Sequence, residues 1–190
     1  MQTMNTHESW GWIARLLHWA IAGVILFQLG WGIYMSEFVS DVFRQFELVQ
    51  VHKSWGFIAF ALASVRLVWR IANRKTPEMP AGTPAWQEWV SSITHKLLYL
   101  LMFALPLSGW IMSSASPNQE MLKIENMVFD WFAMPDPFVP GVKSVAEAAA
   151  EFHQIAAYTL IGLLLLHVGA ALKHLVIERD TIFQRMTWGR

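Results

Sequence analysis

Four histidines, His18, His52, His153 and His167, each stand inside or at the lip of a long apolar run. An ionisable side chain in such a run is costly and usually has a task. Histidine is also the commonest side-chain metal ligand, haem iron included. His153 and His167 are fourteen residues apart, which is about four helical turns or ~21 Å. That spacing returns the second imidazole to nearly the face of the first. One helix can therefore present ligands to two cofactors at two depths.

Ligands at two depths need long helices to carry them, and the chain offers four apolar stretches. Ile13 to Tyr34 has only Arg15, His18 and Gln28 as strongly polar members, and Gly56 to Ile71 is interrupted by Arg66 and Arg70. Leu97 to Met112 has no charge, and Phe152 to Leu172 has only His153, Gln154 and His167 as markedly polar residues. Of the 190 residues 55% are hydrophobic and 15% charged, and the mean hydropathy is +0.35; an ordinary soluble domain is less apolar. A soluble bundle would need polar helix faces, which these stretches lack. A bilayer span takes roughly 20 mainly apolar residues. The expectation is an all-α, integral membrane four-helix bundle forming a single domain over residues 1–190, with helices at about 10–34, 51–71, 86–112 and 145–177. Pro106 should kink the third helix. Residues 75–84 (KTPEMPAGTP) read as a loop. Ser36 to Gln50 alternates apolar and polar residues and reads as a surface-lying link. The outer loop 113–144 is the longest, and its stretch Asn126 to Phe132 is apolar enough to lie in the interface or cover a site. Trp10, Trp12, Trp69, Trp86, Trp89, Trp110 and Trp131 fall near span ends, as in interfacial belts.

Net charge is zero, but the cations are unevenly placed. Ten, Arg15, Arg66, Arg70, Arg74, Lys75, Lys96, Lys173, Arg179, Arg185 and Arg190, fall on the side of the termini, against Arg44, Lys53, Lys123 and Lys143 on the other. The positive-inside tendency places both termini in the cytoplasm. No cleavable signal peptide is expected, because the first ten residues carry no Lys or Arg. No nucleic-acid footprint is present. With no cysteine, disulfides, iron–sulfur clusters, thiolate zinc sites and covalent c-type haem attachment are excluded.

Depth pairs the histidines. His18 lies about eight residues into the first helix, ~12 Å from its cytoplasmic end, and His167 about ten residues before the end of the fourth, ~15 Å from it. His52 and His153 each lie within a turn of an outer helix end. Two bis-histidine sites result, and two facing imidazoles suit a six-coordinate haem iron. With both axial positions filled no oxygen site is open, so the iron is an electron carrier. Zinc or copper would want three or four ligands on one centre, available only if His174 or His95 joins. A lone intramembrane histidine can also serve as a helix–helix hydrogen bonder; four at two matched depths favour ligation. Arg66 is fourteen residues after His52, on nearly the same face, at the depth of the inner pair. Buried arginine suits forked pairing with carboxylates, so Arg66, helped by Arg15 or Arg70, is the candidate partner of the inner haem propionates. Lys53 is the outer counterpart. Snorkelling to headgroups or water is the competing reading for these cations. His95 and His174 sit where they could meet a propionate or a quinone headgroup, whose reduction needs proton donors, or stand as wet interfacial histidines.

The residues now described resemble those of the bacterial cytochrome b561 family, the di-haem four-helix membrane cytochromes. The matching stretches are RLLHW at Arg15 to Trp19, VHKSWG at Val51 to Gly56, the arginines of VRLVWR at Arg66 and Arg70, HKLLYLLMFALPLSGW at His95 to Trp110, FHQIAAY from Phe152, and LHVGAALKHLVIERDTIFQRM at Leu166 to Met186. The resemblance covers nearly the whole chain. It implies axial ligands at His18, His52, His153 and His167, two haem b groups, quinone (ubiquinone) as an electron partner or substrate, and a multi-pass place in the bacterial inner membrane. The expected function is electron transfer to or from the quinone pool, with membrane lipid around it and a periplasmic or membrane redox partner. The competing expectations are a superoxide:quinone oxidoreductase, a membrane haem anchor of a dehydrogenase or hydrogenase, and a membrane protein whose histidines relay protons.

Overall fold

The computed structural model describes residues 2–138 and 140–189. Four long helices dominate: α1 (Trp12–Glu37), α2 (Val42–Ala72), α3 (Ala85–Ser114) and, after a short α4 (Pro117–Met121), α5 (Lys143–Lys173). A two-stranded hairpin, β1 (Asn126–Val128) and β2 (Phe132–Met134), precedes α5, and a short α6 (Ile182–Thr187) follows it. α5 widens at its end into one π turn, His174–Glu178, and Arg179 closes it with a left-handed φ of 52°. The spans of α1, α2, α3 and α5 with its π turn hold 26, 31, 30 and 36 residues, each longer than the ~20 needed to cross hydrocarbon. Only 6%, 11%, 17% and 11% of their apolar windows is buried within the protein, so most of that apolar surface is left for lipid.

One expectation is corrected. α2 begins at Val42, not near residue 51, so most of the stretch read as a surface link is helix. Asp41 starts it: its Oδ1 accepts from the Arg44 amide at 2.7 Å, an N-cap that satisfies one of the orphan donors of the first turn. Arg44 and Glu47 then pair at 2.8 Å, three residues apart, and Trp31 Nε1 ties the segment to α1 through Leu48 O at 3.0 Å. The apolar residues Val42, Phe43, Phe46 and Val49 follow the helical period, which over so short a stretch resembles alternation. The 113–144 stretch carries the short α4 and the β1–β2 hairpin. Its hairpin pairs Asn126 with Met134 and Val128 with Phe132, and the turn uses left-handed backbone at Phe129 and Asp130.

Contacts gather into two compact units, residues 1–22, 62–100 and 160–190 in the first and 23–61 and 101–159 in the second. Each long helix gives one stretch to each. In the first unit, buried Asn5 is a clamp: its Nδ2 donates to Lys75 O at 3.1 Å and its Oδ1 accepts from the Gly11 amide at 3.0 Å. α6 is held to α1 by Trp19 Nε1 donating to Met186 O at 3.0 Å and to the α2–α3 link by Arg185 donating to Glu78 O. In the second unit, Asn126 is 1% exposed; Ser113 Oγ donates to its Oδ1 at 2.7 Å, and its Nδ2 donates to Asp136. The Phe129 amide donates to Ser54 Oγ at 3.0 Å, and Trp110 Nε1 to Pro135 O at 3.1 Å. A buried side-chain amide with all its partners inside one segment pins that segment in place.

Candidate functional site

The first unit brings His18 of α1 against His167 of α5, ring centres 6.1 Å apart and planes at 61°. Arg66 of α2 reaches the same place. Its Nη2 lies 3.3 Å from His18 Nδ1 and its Nε donates to Tyr99 Oη at 3.1 Å. Its guanidinium also stands over the Tyr99 ring, 5.7 Å from the centroid, a favourable seat for a cation. His95 of α3 joins this cluster, its ring 5.1 Å from that of His167 and nearly perpendicular. It is exposed, and its Nδ1 lies 2.7 Å from Ser91 O, so Nδ1 carries the proton and Nε2 the lone pair.

The second unit brings His52 of α2 against His153 of α5, ring centres 6.3 Å apart and planes at 76°. Ser108 Oγ is 2.9 Å from His153 Nδ1 and donates to Leu105 O, also at 2.9 Å. A hydroxyl has one proton. With that proton on Leu105 O, Ser108 accepts from His153 Nδ1–H and leaves Nε2 with the free lone pair. Two glycines make room here. A Cβ on Gly32 would lie 3.5 Å from His52 Cε1, and one on Gly109 only 3.3 Å from His153 Cε1. Gln28 Nε2 donates to His52 O at 2.9 Å; Gln28 Oε1 and His52 Nδ1 are buried and have no hydrogen-bond partner among the described residues.

The other residues singled out in the sequence stand as follows. Arg15 donates to Thr187 O at 3.0 Å. Arg70 stacks over Trp10 at 5.6 Å. Lys53 is half-buried, with its ammonium 3.4 Å from Ser113 Oγ. His174 Nδ1 lies 2.5 Å from Glu178 Oε2 and 2.6 Å from Asp180 Oδ2. Sequence reasoning did not single out Ser108, Tyr99 or Gly109. All three fall within the matching stretch His95 to Trp110, and Ser108 and Gly109 follow Pro106 in an otherwise apolar run.

Four apolar spans whose imidazoles meet in pairs between the helices define an integral membrane protein of the cofactor-binding, redox kind. The family model for prokaryotic cytochrome b561 matches residues 9–189. The chain belongs to that family. It is similar to cytochrome b561 homolog 2 of Escherichia coli (strain K12), 29% identical over 189 residues, 98% of this chain and 95% of the relative. It is also similar to cytochrome b561 homolog 1 of the same organism, 28% identical over 138 residues, 72% of this chain and 73% of the relative. The protein is thus a multi-pass membrane haem protein of the bacterial inner membrane, surrounded by lipid, and its work is electron transfer.

The residues fit haem. A metal–imidazole bond of ~2.0 Å, plus about 1.1 Å from nitrogen to ring centre, would hold two facing imidazoles roughly 6.2 Å apart, centre to centre. Both observed pairs, at 6.1 and 6.3 Å, have that separation. Haem also brings two propionates, which need donors. In the first unit Arg15 Nε, Arg66 Nη1 and Arg70 Nη1 are buried and have no hydrogen-bond partner among the described residues. Leaving a buried charged donor unpaired costs ~1–3 kcal/mol or more, a cost that an arriving carboxylate removes.

Proposed function

We propose that the chain holds two haem b groups, one between His18 and His167 and one between His52 and His153, with both termini in the cytoplasm, and exchanges electrons with membrane quinone and a redox partner. The observation that carries the reading is the pair of imidazole separations matching trans ligation. When bound between these imidazoles, each haem would supply a one-electron carrier. The protein supplies the rest. Arg66 has a further donor to give a propionate, with Arg15 and Arg70 near its end of the chain. Ligation through His18 Nε2 requires the proton on Nδ1, and Arg66 has no acceptor to offer it. Arg66 would offer a propionate its unpartnered Nη1, while Tyr99 holds its guanidinium beside the His18–His167 pair. Lys53 is the candidate cation beside His52.

Quinone reduction consumes protons as well as electrons. His174 fits that need: two carboxylates engage its Nδ1, leaving Nε2 to give or take a proton. The superoxide reading asks for cations over the His52–His153 pair, where Lys53 is half-buried with its ammonium 3.4 Å from Ser113 Oγ. Quinol oxidation by the purified, haem-loaded protein tests the quinone reading: rapid haem reduction by a short-chain quinol supports it, and no reduction contradicts it. Superoxide decay with quinone present tests the competitor, which falls if decay does not exceed spontaneous dismutation.

A further inference from the structure

The two imidazole pairs have opposite surroundings. His153 Nδ1 lies 2.9 Å from Ser108 Oγ, which is also 2.9 Å from Leu105 O; with the hydroxyl proton directed to Leu105 O, Ser108 is left to accept the Nδ1–H of His153. An axial imidazole that donates its other N–H to an acceptor becomes a more basic ligand. A more basic ligand stabilises the oxidised iron, which carries the greater positive charge. His18 faces a guanidinium at 3.3 Å instead. Five donors and no acceptor cannot make it more basic, and the adjacent positive charge favours the reduced iron. Among the described residues His52 Nδ1 has no hydrogen-bond partner, so the effect in the second unit rests on Ser108 acting through His153.

We propose that Ser108 is a positioning residue that fixes the Nδ1–H tautomer of His153 and, with Arg66 acting in the opposite sense beside His18, makes the His52–His153 haem the lower-potential of the two. This rests on the two-haem reading. The order of potentials follows from it: a single electron shared between the two centres resides mainly at the His18–His167 site, the end of the chain that holds His174.

The test is a potentiometric titration of wild type, Ser108→Ala, Ser108→Thr and Arg66→Gln, followed by α-band absorbance and low-spin electron paramagnetic resonance. Haem is first counted by pyridine haemochrome. Fewer than two haems in wild type defeats the two-haem reading, and the inference with it, before any potential is read. With two present, the lower midpoint should rise in Ser108→Ala and return toward wild type in Ser108→Thr, which keeps the hydroxyl, while the upper midpoint stays fixed. Arg66→Gln should lower the upper midpoint alone. Selective loss of one haem in Ser108→Ala, with both retained in Ser108→Thr, also supports the positioning role. The inference is overturned if Ser108→Ala moves neither midpoint, if it moves the upper one, or if the haem is lost equally in both Ser108 variants.

Discussion

Gly109→Ala separates a ligand-positioning effect from a general effect on stability. A Cβ there would lie 3.3 Å from His153 Cε1 and 3.5 Å from Nδ1. Optimal carbon–carbon contact is about 3.5–4.0 Å, so the imidazole must move by a few tenths of an ångström. That movement acts on the 2.9 Å bond to Ser108 and on the ring separation of 6.3 Å from His52. The helix itself gains: alanine is favoured over glycine in a helix interior by roughly 0.5–1 kcal/mol. The two effects oppose each other, and haem affinity at this pair should fall while thermal stability of the apoprotein does not. Disturbing a partner of a metal ligand typically costs 10–100-fold in affinity; for so small a shift we expect about tenfold, or ~1.4 kcal/mol. Gly32→Ala is the control. Its Cβ would meet His52 Cε1 at 3.5 Å, an ordinary contact, so both haems should stay. The assay is haem retention during dilution or transfer to apomyoglobin, read by Soret absorbance, beside a melting curve. Full retention in Gly109→Ala, or equal loss in both variants, would refute the steric reasoning.

His18→Ala should lose one haem and keep the other, and His153→Ala should lose the complementary one; loss of both in either folded variant would break the pairing, as judged by haem-to-protein ratio. His95→Ala should keep both haems despite its 5.1 Å approach to the His167 ring, and a lost haem there would mean that His95 is a ligand. Asn126→Ala strips the buried centre of the 113–138 segment and should destabilise it by about 1–3 kcal/mol. The check is faster amide exchange or proteolysis confined to that loop, with haem spectra unchanged.

Much of this architecture is legible in the sequence because the bilayer imposes simple demands. The four spans follow from apolar length alone, and the fourteen-residue spacings of His153 to His167 and His52 to Arg66 follow from helical period. What escapes is set by tertiary contact. The extension of α2 back to Val42 depends on an Asp41 cap and on Trp31 reaching across from α1. The hairpin at 126–134 depends on Ser54, which is distant in sequence, and on buried Asn126, whose partners Ser113 and Asp136 lie just outside the hairpin. His95 reads as an interfacial residue, and only packing shows its ring against His167. Ser108 is an ordinary polar residue until its proton is traced to Leu105 and its oxygen to His153.

The central claim is that this one chain encloses two bis-histidine haem sites. A pyridine haemochrome spectrum with protein quantitation, on detergent-purified material, tests it most directly. The account predicts two haem b per chain. One per chain would mean that one imidazole pair is only a helix–helix contact, and none in a folded protein would contradict the account outright.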